Sequence, residues 1–157
     1  MRRQDRLIES RADIDAIIAG SEVLRVALSN DNEPYLVPLS FGYDGEAIYV
    51  HTAKKGKKID YFRANPRVCF EFERNVRYVR DGADACSSTF SFESVIGHGE
   101  ISELVDVKAK EYALNQITLH YGETPSGFPA DAVKKVRAWK ISVESVAGKR
   151  SPLKDIS

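Results

Sequence analysis

The stretch from residue 35 to residue 73, YLVPLSFGYDGEAIYVHTAKKGKKIDYFRANPRVCFEFE, decides the fold. It contains two runs rich in aromatic and β-branched residues, 35–43 and 47–52, which are separated by Asp44-Gly45. This dipeptide suits the positive φ angles of a hairpin turn, so the sequence predicts two antiparallel strands. Four lysines around one glycine follow, and a short helix is predicted over 56–64, with Asn65-Pro66 as its end.

The rest of the chain also divides into short strands and helices. Apolar residues at helical spacing predict a helix over 13–19, and alternating apolar residues predict a strand over 23–29. Gly97 and Gly99 suit a strongly bent strand. The other predicted elements are strands over 68–73, 90–104 and 136–146, a helix over 106–121, a polar segment over 74–88 and an irregular loop over 122–129. About six short strands are too many for a flat sheet, which predicts a mainly β fold: one domain, 1–157, forming an antiparallel barrel with peripheral helices.

Composition limits the possible partners and location. Lys+Arg and Asp+Glu each number 23, so the formal charges cancel and the four lysines are a local feature of a neutral protein. A nucleic-acid-binding protein usually carries a wider basic surface, so no nucleic acid partner is expected. The N-terminus, MRRQDRLIES, is charged, and no apolar stretch long enough to cross a bilayer follows it. We therefore expect a cytoplasmic protein with no membrane association.

The spacing of cysteines and histidines argues against a metal site. Cys69 and Cys86 form no CxxC pair or other ligand pattern, and we expect them to be free thiols. His51, His98 and His120 share no spacing typical of zinc ligands.

The four lysines surround the predicted N-terminus of a helix. Unpaired amides and the positive end of the helix dipole favour an anion there, and Gly56 lets the backbone come close to it. Lys57 and Lys58 supply charge-assisted donors, so a phosphate group is the natural candidate. The loop is not a Walker A motif, which requires glycine at the position of His51 and serine or threonine at that of Lys58. The competing interpretation is a solvated lysine cluster.

Three segments in the same order carry a family resemblance that covers nearly the whole chain. They are the stretch 35–73, then SFESVIGHGEISEL, then VRAWKISVESVAGKR. Together they resemble the flavin-binding split-barrel family related to pyridoxamine 5'-phosphate oxidase, especially the branch that includes nitroimidazole-resistance proteins. The resemblance implies a six-stranded antiparallel split barrel that forms a homodimer and binds one FMN in each of two clefts between the subunits.

The resemblance also implies which residues bind FMN. Val37, Pro38, Leu39, Ser40 and Phe41 match the family's strand beside the isoalloxazine ring. The other implied cofactor-binding residues are His51, Thr52 and Ala53 at the end of the next strand, Lys57 and Lys58 at the phosphate, Ser94 and Val95 from the partner subunit, and Trp139 near the cleft. His51 is also the candidate catalytic residue, because this strand end lies near the flavin and the substrate.

Each of these residues also has a purely structural interpretation. Val37, Leu39 and Phe41 fit an ordinary barrel core, so the resemblance concerns mainly their backbone. His51 could be a strand histidine without a task, since its proton chemistry needs a partner. Trp139 fits either the core or the wall of the cleft. Tyr78 and the nearby arginines 74, 77 and 80 could cover a substrate or form a solvated loop.

The chain differs from the true oxidases at its end. It finishes with GKRSPLKDIS and lacks the arginine- and histidine-bearing motif that holds pyridoxamine phosphate in them, so oxidation of vitamin B6 is not expected. The resemblance implies instead an FMN-dependent oxidoreductase that passes hydride from a nicotinamide donor to a small electron-poor acceptor, such as a nitroaromatic compound or a quinone. Two alternatives stay open: a flavin-binding or sensing module without turnover, and a split-barrel protein that binds haem or deazaflavin. Neutral charge disfavours a third, a barrel that binds single-stranded nucleic acid.

Overall fold

The computed structural model describes residues 4–80, 88–125 and 127–151. These residues form eight strands and four α-helices, preceded by a short 3-10 turn at Gln4–Arg6. The strands are β1 (Leu7–Ile8), β2 (Leu24–Asn30), β3 (Glu33–Leu39), β4 (Gly42–Tyr43), β5 (Ala47–Thr52), β6 (Arg67–Val79), β7 (Thr89–Leu104) and β8 (Arg137–Arg150). The helices are α1 (Arg11–Ala19), α2 (Lys57–Ala64), α3 (Val107–His120) and α4 (Ala130–Lys135).

The strands form one antiparallel sheet. Its order is β3-β2-β6-β7-β8-β5-β4, and β1 pairs separately with β8. The long strands β6, β7 and β8 lie side by side in the middle of this order. The predicted class, a mainly β antiparallel fold with few helices, is confirmed.

Alternation along the strands builds a large core on one face of the sheet, and a second, smaller apolar cluster packs beneath α3. In β2, Leu24, Val26 and Leu28 are buried while the residues between them face outwards. Helix α1 covers part of this core with three isoleucines, and the Ser10 side chain caps its start by accepting a hydrogen bond from the Asp13 amide. The largest fully buried side chains include Trp139, Phe41, Phe62, Phe70, Phe72, Ile48 and Ile141. Burial of so many large apolar groups is the main stabilising contribution to the barrel.

Gly97 and Gly99 permit the close approach that their positions in the sequence suggested. A Cβ atom on Gly97 would lie 2.3 Å from the Phe70 ring, and one on Gly99 would lie 2.2 Å from the Ser142 carbonyl oxygen. The pairing of β7 with β8 shifts register between His98 and Gly99. These two glycines therefore let β7 bend across the core without a clash.

The hairpin predicted at Asp44-Gly45 is confirmed, but the strand before it is interrupted. β3 ends at Leu39 and β4 covers only Gly42–Tyr43, so the prediction of one continuous strand over 35–43 is wrong. In the turn, the Asp44 carboxylate accepts hydrogen bonds from two following amides, and Gly45 has a φ of 94°.

The number of strands was underestimated because β1 was not predicted and because the predicted strand over 35–43 is divided into β3 and β4. β6 was predicted too short: it continues to Val79 through the largely exposed residues 74–79, which were assigned to the polar segment. β1 has only two residues, too few to show a period, and α4 likewise was not predicted. The rest of that polar segment, 81–87 with Cys86, lies outside the described residues.

Candidate functional site

The sheet is open between β3 and β5. β4 pairs with β5 through Gly42 opposite Tyr49 and Tyr43 opposite Ile48. The same register continued would set Ser40 opposite His51, but the described pairing stops at Gly42, and β3 pairs with β2 instead. β3 and β5 thus diverge before the β4–β5 hairpin begins, and their outward-facing residues border an opening.

Helix α2 lies at this opening, and its first two lysines face opposite sides of it. The Lys57 ammonium lies 4.9 Å from the centre of the Tyr35 ring on β3 and 5.4 Å from that of Tyr61. Lys58 is close enough to His51 on β5 for its charge to act on the imidazole. The helix is held in place by Ile59 and Phe62, which are buried in the core.

The N-terminus of α2 lacks the side-chain cap that α1 and α3 have. Ser10 and Asp106 accept hydrogen bonds from first-turn amides of α1 and α3, whereas the N-cap of α2 is Gly56, with no side-chain bond. In a helix, the amides of the first residues, here Lys57 and Lys58, have no carbonyl one turn earlier to bond. Gly56 has a φ of 143°, a conformation that disfavours any other residue. The sequence therefore places uncapped amides and two cations at one point.

The His51 imidazole is tuned towards its neutral form. Its side chain reaches solvent, but the surrounding protein disfavours the charged ring and lowers its pKa, and the positive charge of Lys58 lowers the pKa further. Since an unperturbed histidine has a pKa of about 6.5 and the pKa of His51 is lowered, the neutral form of His51 predominates at pH 7. A neutral imidazole can donate one hydrogen bond and accept another.

Thr52 and Trp139 support the strand end from inside. The Trp139 indole N–H donates to the Thr52 hydroxyl oxygen at 3.0 Å, and that hydroxyl donates to the Ala53 carbonyl at 2.9 Å. Both side chains are buried, and the Trp139 ring packs on Phe62 of α2 with centroids 5.0 Å apart. Trp139 is thus a core residue, and the Thr52 hydroxyl is already bonded within the protein.

Arg137, Glu103 and Arg63 form an ion cluster, not predicted from the sequence, that bonds to the lysine loop, residues 53–56 between β5 and α2. Arg137 Nε donates to the Lys54 carbonyl at 3.0 Å, and its guanidinium also binds the Glu103 carboxylate. Glu103 accepts a second bond, at 3.2 Å, from Arg63 in the last turn of α2. Burial raises the pKa of Glu103, but the bonds from the two arginines outweigh this effect and lower the pKa overall. No local pattern signals a cluster whose members are 34 and 40 residues apart.

The strand predicted to lie beside a cofactor ring divides into two faces. Val37, Leu39 and Phe41 are buried in the core, whereas Pro38 and Ser40 are exposed at the opening. Only the latter two can offer side chains to a ligand outside the barrel.

The C-terminal end of α3 fixes the point where β3 ends. The Tyr121 hydroxyl oxygen accepts a bond from the Phe41 amide at 3.3 Å and donates to the Glu22 carbonyl at 2.8 Å. The His120 ring lies 4.0 Å from the Phe41 ring, centroid to centroid.

Ser94 and Val95 are not near this opening in the same chain. Ser94 is nine positions before Glu103 on β7, roughly 30 Å along the strand at about 3.3 Å per residue. Ser94 faces outwards and is half-buried, while Val95 is fully buried in the core. The structure brings together His51, Thr52, Ala53, Lys57, Lys58 and Trp139, with Pro38 and Ser40 across the opening, but it leaves Ser94 at the far end of the barrel.

Comparison with protein families bears on what this opening is. The family model described as pyridoxamine 5'-phosphate oxidase matches residues 10–150, from the cap of α1 to the end of β8. The chain belongs to the pyridoxamine 5'-phosphate oxidase family. The matched segment includes both sides of the opening and the ion cluster, and the recognition made from the sequence is confirmed.

Solved structures agree with this family assignment. A protein of Bacteroides thetaiotaomicron VPI-5482, provisionally named a 5-nitroimidazole antibiotic resistance protein, has a TM-score of 0.81 and 30% identity; the match covers 91% of this chain and 85% of that one. The FAD and heme binding protein of Mycobacterium smegmatis has a TM-score of 0.82 at 17% identity, covering 93% of this chain and 73% of that one. A FAD-binding protein of Mesorhizobium loti gives 0.67 at 24%, with coverage of 94% and 98%. At such identities the last two show the fold alone, and together the matches confirm the split barrel.

One curated relative shares part of the sequence. It is a protein of Rhizobium meliloti (strain 1021), described as uncharacterized protein RA0666, and it is 31% identical over 64 residues. The match spans 41% of this chain and 42% of that relative.

Two further observations concern the described residues only. None of their helices combines the length and apolar character needed to span a membrane. They also contain no group of three or more histidine, cysteine or acidic side chains placed to bind a metal ion.

Proposed function

We propose that this chain is a flavin-binding protein that holds FMN at the opening between β3 and β5. The observation that carries the proposal is the uncapped N-terminus of α2, with Lys57 and Lys58 on its two sides. An anionic phosphate would complete the unpaired amides and balance the two cations. Membership of a family whose similar structures include proteins named as flavin-binding supports the choice of ligand.

Each side of the opening has a separate task in this proposal. Lys58 and the first amides of α2 hold the phosphate, and Lys57 leaves its two tyrosines to join them. The exposed side chains of Pro38 and Ser40, with the backbone of β3, lie along the isoalloxazine ring. Val37, Leu39 and Phe41 act through their backbone, since their side chains belong to the core.

The proposal includes a homodimer, because one chain offers too little enclosure. Every residue from Ala53 to Lys57 is exposed, so a ring bound there would stay largely in water. A second copy would cover the ring and bring the partner subunit's Ser94. The sheet surface carries apolar side chains suited to such an interface, with Leu36 61% exposed and Ile96 46% exposed.

When bound, the flavin would supply hydride and electron transfer, and we propose a nicotinamide donor and a small electron-poor acceptor, such as a nitroaromatic compound or a quinone. The chain's own residues position the cofactor and exclude water from it. Neutral His51, beside the proposed ring, can donate a hydrogen bond to a substrate or accept one without adding charge to the site.

Spectroscopy and turnover together test the proposal. Purified protein, or protein loaded with FMN, should show a flavin spectrum, bind FMN more tightly than riboflavin and oxidise a nicotinamide when a nitroaromatic acceptor is added. Binding of FMN without turnover would leave a flavin-binding module and contradict the oxidoreductase. Failure to bind any flavin, or a haem Soret band in its place, would contradict the proposal as a whole.

A further inference from the structure

The lysine loop is hydrogen-bonded by two residues outside it, Thr52 at the end of β5 and Arg137 at the start of β8. Two successive carbonyls of the loop are bonded to the barrel: that of Ala53 to the Thr52 hydroxyl, and that of Lys54 to Arg137. With both carbonyls directed towards the barrel, the turn through Gly56 can direct the following amides towards the opening. The orientation of these amides is the feature on which an anion would depend.

Arg137 is the centre of this arrangement. It is the first residue of β8 and pairs with Thr52, the last residue of β5, so its guanidinium lies directly below the loop. One nitrogen bonds the loop through Lys54, and another bonds Glu103. The same carboxylate binds Arg63 at the other end of α2. Glu103 thereby connects both ends of the helix to the barrel.

The charge of Arg137 is compensated within the protein. Its side chain is 28% exposed and that of Glu103 is 20% exposed, so their ion pair is screened less than a surface pair. An arginine already bonded to a carboxylate and a carbonyl has little capacity left to attract a phosphate. Its fork of donors, in contrast, is suited to fixing two acceptors in one geometry.

We infer that Arg137 is a positioning residue for the phosphate end of the flavin site: by binding the Lys54 carbonyl and Glu103 together, it orients the first amides of α2 towards the phosphate. This inference rests on the proposed flavin function. According to this inference, Arg137 affects flavin binding through the geometry of its hydrogen bonds and not through its charge. The effect concerns binding of the phosphate and not of the isoalloxazine ring.

The test compares binding of FMN and of riboflavin, which lacks the phosphate, to apoprotein by fluorescence titration. Arg137→Gln should weaken FMN binding by about tenfold while changing riboflavin binding less than twofold, since it removes bonds that orient the phosphate-binding amides. Arg137→Lys keeps the charge but cannot hold both acceptors, so it should resemble Arg137→Gln. The matched control is Arg67→Gln, which removes a surface arginine paired with Glu144 and should leave both affinities unchanged.

Three results would overturn the inference. If Arg137→Lys binds FMN as tightly as the parent, the charge of Arg137 matters and its geometry does not. Tighter FMN binding by Glu103→Gln, which removes the counter-charge of Arg137, would lead to the same conclusion. If Arg137→Gln loses FMN and riboflavin equally along with a fall in melting temperature, its role is general stability. Lys58→Ala distinguishes failure of this inference from failure of the proposed function. If Lys58→Ala leaves FMN binding unchanged, the phosphate does not bind at α2, and the proposed function fails as well.

Discussion

The two sides of the barrel opening are built in opposite ways. The β5 side is charged and internally braced: its loop is bonded to Thr52 and Arg137, and the helix after it is anchored by Phe62 and Glu103. The β3 side presents exposed Leu36 and Pro38 and pairs with only one neighbouring strand along the described pairing. If the proposed flavin site is correct, one chain can form the phosphate-binding part alone, whereas the part that binds the ring depends on what covers β3.

Removal of both lysines at the start of α2 should have the largest effect. A charge-assisted hydrogen bond contributes roughly 1.5–3 kcal/mol, so Lys57→Ala with Lys58→Ala should weaken FMN binding more than about 100-fold. Riboflavin binding should hardly change, because the ring end is intact. Titration of apoprotein with both flavins measures this.

The matched control is the pair Lys54→Ala with Lys55→Ala, which removes two exposed lysines before the glycine and should cost little. Of the single variants, Lys58→Ala should be the more damaging, because Lys57 must first give up its two tyrosine rings, a contact of roughly 0.5–1 kcal/mol. If the two lysine pairs behave alike, the loop is a solvated cluster.

A charge on the β3 side should act on assembly. Leu36→Glu places a carboxylate on the exposed face of β3, which we propose is covered by a second copy, and it should weaken dimerisation by at least about tenfold. Sedimentation over a range of concentrations checks this, with Val105→Glu as the control at another exposed apolar residue. A parent protein that is monomeric when saturated with FMN, or a variant that dimerises like the parent, would disprove the proposed interface.

The smallest effect concerns protonation of His51. Lys58→Ala should raise the pKa of His51 towards the ordinary value of about 6.5, because it removes one of the two causes that lower it. Bound FMN phosphate should raise the pKa as well. Histidine resonances followed by NMR between pH 5 and pH 8 report both shifts, and Lys54→Ala provides the comparison. If the pKa of His51 is unchanged in Lys58→Ala, the charge of Lys58 does not act on His51.

The lowered pKa of His51 also makes the stability of the fold depend on pH. The folded pKa of His51 lies below the unfolded value of about 6.5, so the unfolded chain takes up this proton first as the pH falls. His51 therefore lowers the free energy of unfolding as the pH decreases below about 6.5, and Lys58→Ala should reduce this dependence.

Features encoded by neighbouring residues were predicted well from the sequence. The Asp44-Gly45 turn, helix α2 with its Asn65-Pro66 end, and the lysines around Gly56 depend on local conformational preferences. The mainly β class followed from alternating apolar residues, and the order of the motifs identified the family. The start of α2 at the lysines was predicted from the same local signals, whereas the phosphate site placed there stays a prediction.

Features that depend on distant parts of the chain were not predicted. The break at Ser40 and Phe41 arises where Tyr121 of a remote helix end binds the Phe41 amide. Arg137 and Glu103 bond to the loop, to α2 and to each other only because β7 and β8 bring them together there. The opposite orientations of Lys57 and Lys58 also required the structure, since consecutive residues of a helix point about 100° apart and only the packing of α2 determines which strand each one faces.

The two prolines of β3 have a consequence for aggregation. Pro34, Leu36 and Pro38 are every second residue of β3, so the backbone groups of all three point to the same edge of the strand. A proline has no N–H to donate, so only the Leu36 amide is available along this length to pair with a foreign strand. This edge of β3 is thus a poor template for pairing with a foreign strand and for fibril growth.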